Sequence, residues 1–391
     1  MCVVIAVNQL GFGAIIPTMP LYAQSFGVSF SAIGVSIAIY GLARFLVAIP
    51  TGRLADRVGR RPTLALGGLV STLGNLWCAT ASGYFEFLAA RFVAGAGATL
   101  VLTTGIVIIA DISTPAVRGR MMAMYQGAFL FAVGMGPFPG GVLAEHFGLA
   151  APFFAYALAG AVVGVIAWFA VAESRELAET HASDDPDTVL PSFFAQMRLL
   201  TSQLGFLLVC AIAFMNAVVR TGAMFTIVPV LGRDQLGLSP SEVGFGMAVG
   251  SVLGLLVAYP SGVLVDRYGR KTVIVPATLL TGMSLLIFCF APNYTWFVLG
   301  SVVWGVASAV AGSAPSAYAA DTAPRGMNAS AMSTYRMLAD AGYVVGPIVL
   351  GLTVDWYGAT IALIVAAGLK VIMSALFARY APETYAARPS R

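Results

Sequence analysis

The chain has 391 residues, of which 59% are hydrophobic and only 10% charged, with a mean hydropathy of +0.88 and a formal net charge of +4 at pH 7. Soluble proteins carry about 25% charged residues, so the composition excludes a soluble globular protein and indicates a polytopic membrane protein. The basic residues lie mostly in short loops, which argues against nucleic acid as a partner.

The polar inventory is too small for enzyme chemistry. There are two histidines, and the four cysteines all lie in apolar segments without metal-ligand spacing. We therefore expect free thiols, no metal site, no cofactor and no catalytic residues. The apolar composition makes the lipid bilayer the expected partner.

Apolar runs predict twelve membrane-spanning helices, since one span needs about 20 apolar residues. The predicted spans are 1–22, 30–51, 62–82, 84–110, 121–144, 150–172, 204–230, 240–261, 272–291, 295–320, 328–354 and 358–379. The fold class is thus an all-α membrane protein with twelve transmembrane helices. The chain begins inside an apolar run, and we expect no cleavable signal peptide.

The polar stretches divide this series into domains. Residues 173–203 form the only long polar segment, which is acidic in its first half, and we interpret it as a cytoplasmic linker. The predicted domains are a six-helix bundle at 1–172, this linker, a second six-helix bundle at 204–380, and a cytoplasmic tail at 381–391.

The basic residues predict the orientation. Fifteen of the 21 fall in loops on one side or in the C-terminal tail, and only Arg233 lies in a loop on the other side. By the positive-inside rule both termini are cytoplasmic, and the expected location is the cell (inner) membrane.

The two predicted bundles repeat each other at an offset of 210 residues. The loop after the second span reads GRLADRVGRR at 52–61, and the loop after the eighth reads GVLVDRYGRK at 262–271. Asp111 corresponds to Asp321 and Tyr125 to Tyr335. Parallel repeats of this kind pack around a pseudo-twofold axis along the membrane normal, with the substrate at their interface. By the same offset the first span begins about six residues late, so we expect a longer natural N-terminus.

These paired loops resemble the repeated loop motif of the major facilitator superfamily, and the resemblance covers the whole chain. It implies the major facilitator fold, with two pseudo-symmetric six-helix bundles and transport by alternating access. It also implies that the loops act as a gate and conformational latch in the outward-open state, with Asp56 facing the start of the eleventh span and Asp266 the start of the fifth. The latch residues are Gly52, Asp56, Arg57, Gly59, Arg60, Gly262, Asp266, Arg267, Gly269 and Arg270.

Two features of these loops bear on their role. Gly52 and Gly59 are expected to permit tight exits from helices. The alternative is that the loops serve only as a topology signal. The positive-inside rule, however, gives little weight to acidic residues, and both loops carry one.

The fifth span contains GPFPGG at Gly136–Gly141. Its residues Gly136, Pro137, Gly140 and Gly141 resemble the core of the motif shared by drug:proton antiporters of the superfamily, which implies export. Ala123 and Ala132 stand where that motif usually has glycine. The alternative is ordinary close packing by small residues.

Ionisable residues inside spans are functional candidates, because they are costly in a bilayer. Asp340 is the one acid placed deep in a span, about 18 Å into the eleventh at 1.5 Å per residue, and Arg336 is its i,i+4 neighbour. We predict a buried pair that binds and releases a proton, with a static ion pair as the alternative. Arg91 resembles the fourth-helix arginine associated with proton transfer in the superfamily, with a structural hydrogen-bond donor as the alternative. Lys370, in the last span, is expected to snorkel to the membrane surface.

The remaining polar residues within spans are candidates for the substrate cavity, which the resemblance places along helices 1, 4, 7 and 10 with 2, 5, 8 and 11 beside them. They are Asn8, Gln9, Arg44, Asn216 and Arg220. Arginines outnumber carboxylates among all these candidates, which disfavours a cationic substrate. The expected function is a proton-coupled exporter of neutral or anionic amphiphiles. The alternatives are an importer or facilitator of an organic anion or metabolite, and, with less support, a membrane receptor or enzyme.

Overall fold

A computed structural model describes residues 1–113, 118–174, 198–200, 202–323 and 328–384. Two compact units divide the chain: Met1–Asp185 with Gly232–Ala248, and Pro186–Leu231 with Val249–Arg391. Most of the predicted linker at 173–203, and residues 385–391 of the predicted tail, lie outside the described residues. The predicted domain boundaries stay predictions.

The first unit is built from helices. They are α1 (Cys2–Ile15), α2 (Met19–Gln24), α3 (Phe30–Val58), α4 (Arg60–Thr80), α5 (Tyr84–Ile112), α6 (Arg118–Met135), α7 (Pro137–Phe147) and α8 (Ala151–Ala170). Pro137 is the first residue of α7, so the predicted fifth span consists of two helices that meet at Gly136.

The elements after residue 200 are also helical. They are α9 (Leu204–Val218), a π-helix (Val219–Ile227), α10 (Val228–Leu236), α11 (Pro240–Tyr268), α12 (Arg270–Cys289), α13 (Tyr294–Asp321), α14 (Asn328–Tyr357) and α15 (Ala359–Tyr380). Residues 232–248, which hold the end of α10 and the start of α11, belong to the first unit.

The helices have the length and composition of membrane spans. In the part of the chain that the structure describes, ten helical stretches are long and apolar enough to cross a membrane. The two other predicted spans are helical as well: 1–22 overlaps α1 and α2, and 62–82 overlaps α4. Large apolar side chains such as Phe85, Phe169 and Trp356 are more than 70% exposed, which suits helices that face lipid. The predicted all-helical membrane fold is confirmed.

The 210-residue repeat extends to backbone conformation. Six glycines in the described ranges have positive φ, and they form three pairs at that offset: Gly27 with Gly237, Gly59 with Gly269, and Gly148 with Gly358. Gly59, at φ 108°, separates α3 from α4, and Gly269, at φ 93°, separates α11 from α12. Only glycine adopts such angles without steric cost. The repeated loops therefore begin from the same backbone turn.

Each unit has its own apolar core. In the first, Leu64, Val101 and Val163 are fully buried between α4, α5 and α8. In the second, Phe206 and Phe377 are fully buried beside Tyr318. These cores fix the helices that carry the polar residues described below.

Candidate functional site

Arg60 is the centre of a polar cluster in the first unit. It follows Gly59 as the first residue of α4, and its side chain is 8% exposed. Its Nε donates to Asp111 Oδ2 at 3.0 Å, and its Nη1 lies 3.1 Å from Asp56 Oδ1 and donates to the carbonyl of Ala55 at 3.0 Å. The guanidinium therefore connects the end of α3 to the end of α5.

Glu173 caps the same helix. Its Oε1 accepts from the backbone N–H of Arg60 at 2.9 Å, and its Oε2 from that of Arg61 at 3.1 Å. A carboxylate here satisfies N–H groups that have no partner within the helix and complements the positive end of the helix dipole. Ser174 Oγ donates to Asp111 Oδ2 at 2.9 Å. We call Asp56, Arg60, Asp111, Glu173 and Ser174 the Arg60 cluster.

The second unit holds the same arrangement. Arg270 Nε donates to Asp321 Oδ2 at 2.8 Å, and Thr384 Oγ1 donates to the same oxygen at 3.4 Å. The Glu383 carboxylate accepts from the backbone N–H groups of Arg270 and Lys271, each at 3.1 Å. Arg270, Asp321, Glu383 and Thr384 each lie 210 positions after a member of the Arg60 cluster. We call them the Arg270 cluster.

The structure corrects one detail of the predicted latch. Gly52 is not a helix exit, because α3 continues to Val58, and a side chain at Gly52 or at Gly262 would contact nothing. Gly59 and Gly269 alone form the exits. Arg57 and Arg267 are exposed, and the side chain of Asp266 lies outside the described residues.

The glycines of the predicted antiporter-like motif make close backbone contacts. A Cβ on Gly136 would lie 2.5 Å from the Cα of Gly13 in α1, and one on Gly140 would overlap Ala14. Gly141 abuts the backbone of Pro240 within the same unit. Such contacts are what close helix packing requires, which is the alternative that the sequence left open. The antiporter role of the motif stays a prediction.

Arg91 is buried in an aromatic environment. Its side chain in α5 is covered by α3, where its guanidinium lies 4.3 Å above the ring of Tyr40 and its Nε donates to the carbonyl of Ser36 at 3.3 Å. The hydroxyls of Tyr40 and Tyr156 are 3.4 Å apart. Arg91 Nη1 is buried without a partner in the described part of the chain. This guanidinium is held mainly by a cation–π contact.

Other predicted cavity residues of the first unit are less accessible than expected. Asn8 and Gln9 are both buried, and Asn8 Nδ2 donates to Gln9 Oε1 at 2.9 Å. Arg44, one turn after Tyr40, is partly buried.

The second unit contains a cavity of about 190 Å³. Two of the predicted substrate residues, Asn216 and Arg220, line it together with Lys370, Trp304 and Tyr335. No carboxylate is present among its described lining residues. Arg220 is the second residue of the π-helix, and its side chain is exposed. The cavity is therefore cationic and accessible.

The prediction that Lys370 snorkels is wrong. Its side chain is 1% exposed, and its Nζ donates to Asn216 Oδ1. It packs against Gly282 of α12, where a Cβ would lie 3.1 Å from the Cβ of Lys370. The missing side chain at Gly282 leaves room for the lysine to run inward.

The predicted burial of the acid in the eleventh span is also wrong. Asp340 and Arg336 in α14 are both exposed, and no ion pair joins them in the described ranges. Their i,i+4 spacing places them on one helix face, but the side chains are not held together. Asp340 immediately follows Ala339, which lines the cavity. A coupling role for either residue is untested.

A family model described as Major Facilitator Superfamily matches residues 1–239 and again 209–391, so it covers the whole chain. The chain belongs to the major facilitator superfamily.

Several members of the superfamily align over most of this chain. Multidrug resistance protein 2 of Bacillus subtilis is 26% identical over 285 residues, which cover 72% of this chain and 69% of that protein. The class C tetracycline resistance protein of Escherichia coli is 28% identical over 300 residues, which cover 73% and 72% respectively. The crystal structure of a D-xylose–proton symporter matches the fold with a TM-score of 0.78 at 17% identity, over 98% of both chains. This major facilitator is thus a multi-pass membrane transporter and not an enzyme.

Sequence reasoning missed two polar residues of this transporter and the burial of a third. Glu173 and Glu383 stand where the polar segments begin, and the repeat contains the signal: AES at 172–174 corresponds to PET at 382–384. Lys370 gave no such signal. Its repeat partner is Gly160, and only the packing of α15 shows that the side chain enters the unit.

Proposed function

We propose that this major facilitator exports small neutral or anionic organic compounds in exchange for protons. The observation that carries the proposal is the cavity of the second unit. Lys370 and Arg220 both line it, and its described lining includes no carboxylate. The field of two cations repels a cationic compound and attracts an anion.

The names of the relatives support export. The two aligned proteins described above are named as resistance proteins. The antiporter-like residues Gly136, Pro137, Gly140 and Gly141 favour the same direction. Gly136 and Gly140 bring their helices against the backbone of α1 without side chains between them, which would let the helices slide past one another.

The two repeated clusters support alternating access. Each cluster joins the end of one helix to the start of another through one arginine, one aspartate and one capping glutamate. Changing a single ion pair can therefore reposition several helix ends at once. We propose that they act as conformational latches in a monomer, and that both termini are cytoplasmic in the cell membrane.

Coupling to protons requires a group that changes protonation during the cycle. We propose Asp340 for this role, because it is an exposed carboxylate next in sequence to the cavity-lining Ala339. Arg336, one turn away, can stabilise its ionised form in a conformation that brings the two side chains together. Arg91 is the corresponding candidate in the first unit.

The same cationic cavity favours a second function. An importer or facilitator of an organic anion would need the same ligands, because electrostatic complementarity does not depend on the direction of transport. The experiment below separates the two.

The test uses the purified full chain in liposomes with an imposed pH gradient. An impermeant carboxylated dye, a neutral dye and ethidium are offered separately. We expect uphill movement of the anionic or neutral dye against the proton flux, and none of ethidium. Uphill movement together with protons would establish the importer instead, and uphill transport of ethidium alone would overturn the proposed substrate class.

An Asp340→Asn variant in the same liposomes tests the coupling site. The amide cannot ionise, so pH-driven accumulation should be lost while downhill exchange persists. Accumulation at the wild-type level would exclude Asp340 as the coupling residue.

A further inference from the structure

Lys370 has an unusual environment for a lysine. Its ammonium lies inside the second unit, 1% exposed. The only hydrogen-bond partner recorded for it in the described structure is a neutral amide oxygen, that of Asn216. Removing an ammonium from water costs several kcal/mol unless an anion compensates. The described lining of the cavity offers no such anion and instead adds a second cation, Arg220.

The hydrogen-bond geometry leaves donors available. Asn216 Nδ2 donates to the carbonyl of Ala311 at 3.3 Å, which fixes the amide so that its oxygen faces Lys370. An ammonium has three donors, and one is used by Asn216. Ser308 Oγ, also in the lining, is buried with no partner in the described part of the chain. The cavity thus contains hydrogen-bond donors suited to a ligand that accepts.

The size of the cavity limits what can enter. A volume of about 190 Å³ is less than the roughly 300–1,000 Å³ of sites that enclose a drug-sized ligand, and it holds about six waters at ~30 Å³ each. It therefore suits an anionic group with a few attached carbon atoms. Trp304 and Tyr335 provide apolar surface beside the cations.

We propose that Lys370, Arg220 and Asn216 form a carboxylate-binding site in the second unit, which takes the acidic group of a small aromatic or branched carboxylate. Lys370 binds one carboxylate oxygen from within the cavity. The planar guanidinium of Arg220, which is an exposed residue of the lining, binds the carboxylate from the accessible side. That this ligand is also the transported compound rests on the proposed function.

Calorimetric titration of the purified full chain in detergent tests the site without requiring transport. The probes are benzoate, its neutral analogue benzamide and its cationic analogue benzylamine, which share one ring and differ in charge. We expect benzoate to bind at least tenfold more tightly than benzamide, and benzylamine not to bind. Equal binding of benzoate and benzamide would overturn the assignment.

Three variants locate the site. Lys370→Met keeps the length of the side chain without its charge, and Arg220→Gln removes the second cation; each should weaken benzoate binding at least tenfold. Arg379→Gln is the matched control, because Arg379 is an exposed cation on the same helix, and it should bind as the wild type does. The thermal unfolding midpoint of Lys370→Met should equal or exceed that of the wild type, since the variant no longer buries an ammonium. Benzoate binding within twofold of wild type in a folded Lys370→Met protein would refute the site.

Two further outcomes separate this site from its alternatives. Chloride that binds more tightly than benzoate would reassign the site to an inorganic anion and overturn the carboxylate proposal. Lys370-dependent benzoate binding without transport of any anion in liposomes would support the site and refute the proposed function. Anion transport that Lys370→Met leaves unchanged would support the proposed function and refute the carboxylate site.

Discussion

Single residues in the repeated clusters differ in burial although their partners correspond. In the Arg60 cluster the arginine and Asp111 side chains are 8% and 10% exposed, whereas Arg270 and Asp321 are 16% and 34% exposed. Water screens the second pair more, so the same contact contributes less there. The first cluster is therefore the stronger connection between helix ends.

Asp56 offers a test of the latch. Its side chain is 69% exposed, and within the described ranges its one ion pair is the i,i+4 contact with Arg60. Asp56→Asn should therefore cost about 0.5 kcal/mol of stability or less. If the cluster acts as a latch, transport should fall several-fold at equal membrane abundance. Thermal unfolding midpoints and liposome transport rates of the same preparation provide the two measurements. Wild-type rates in Asp56→Asn would leave the acid with no role in the cycle.

At the scale of helices, glycine positions separate close packing from open space. Gly136 and Gly127 lie on the same predicted span, yet a Cβ at Gly136 would lie 2.5 Å from the backbone of Gly13, and one at Gly127 would contact nothing within 4 Å. The two positions thus form a natural pair for substitution.

Gly136→Ala should force α1 and α7 apart and lower stability by about 1–3 kcal/mol, with a lower thermal unfolding midpoint. Gly127→Ala should be neutral or stabilising by up to about 1 kcal/mol, because alanine favours the helix more than glycine does. Midpoints in one detergent compare the two. Equal thermal unfolding midpoints would mean that α1 and α7 can separate to admit the methyl group with little loss of stability.

The sequence predicts the positions of the helices better than it predicts which of their side chains are buried. The length of the apolar runs alone locates nearly every span. Within the loop clusters, the repeat identifies Arg60 and Asp111 but not the capping glutamates. It does not reveal that α3 runs past Gly52 to Val58, because the last turns of that helix are charged and resemble a loop. The inward course of Lys370 and the exposure of Asp340 depend on which face of a helix meets its neighbours. Hydropathy does not determine that face when nearly all residues of a span are apolar.

For the whole molecule, the distribution of basic residues predicts orientation. A green fluorescent protein fused after Arg391 should fluoresce and alkaline phosphatase fused there should be inactive, since both termini are predicted to be cytoplasmic. The same reporters inserted after Gly237, in the loop that follows Arg233, should give the opposite result. An active phosphatase at the C-terminus would invert the assigned topology.

The π-helix at Val219–Ile227 has a mechanical consequence. At the offset of 210 residues, its last residues correspond to the turn at 16–18 that divides α1 from α2. The first helical segment of each half therefore departs from regular α geometry at overlapping positions of the repeat. Helices bend most readily where the i→i−4 ladder is interrupted. Each of these two segments can therefore bend at its irregular stretch. In the second half Asn216 precedes the π-helix and Arg220 lies within it, so a bend there moves the guanidinium of Arg220 relative to Asn216.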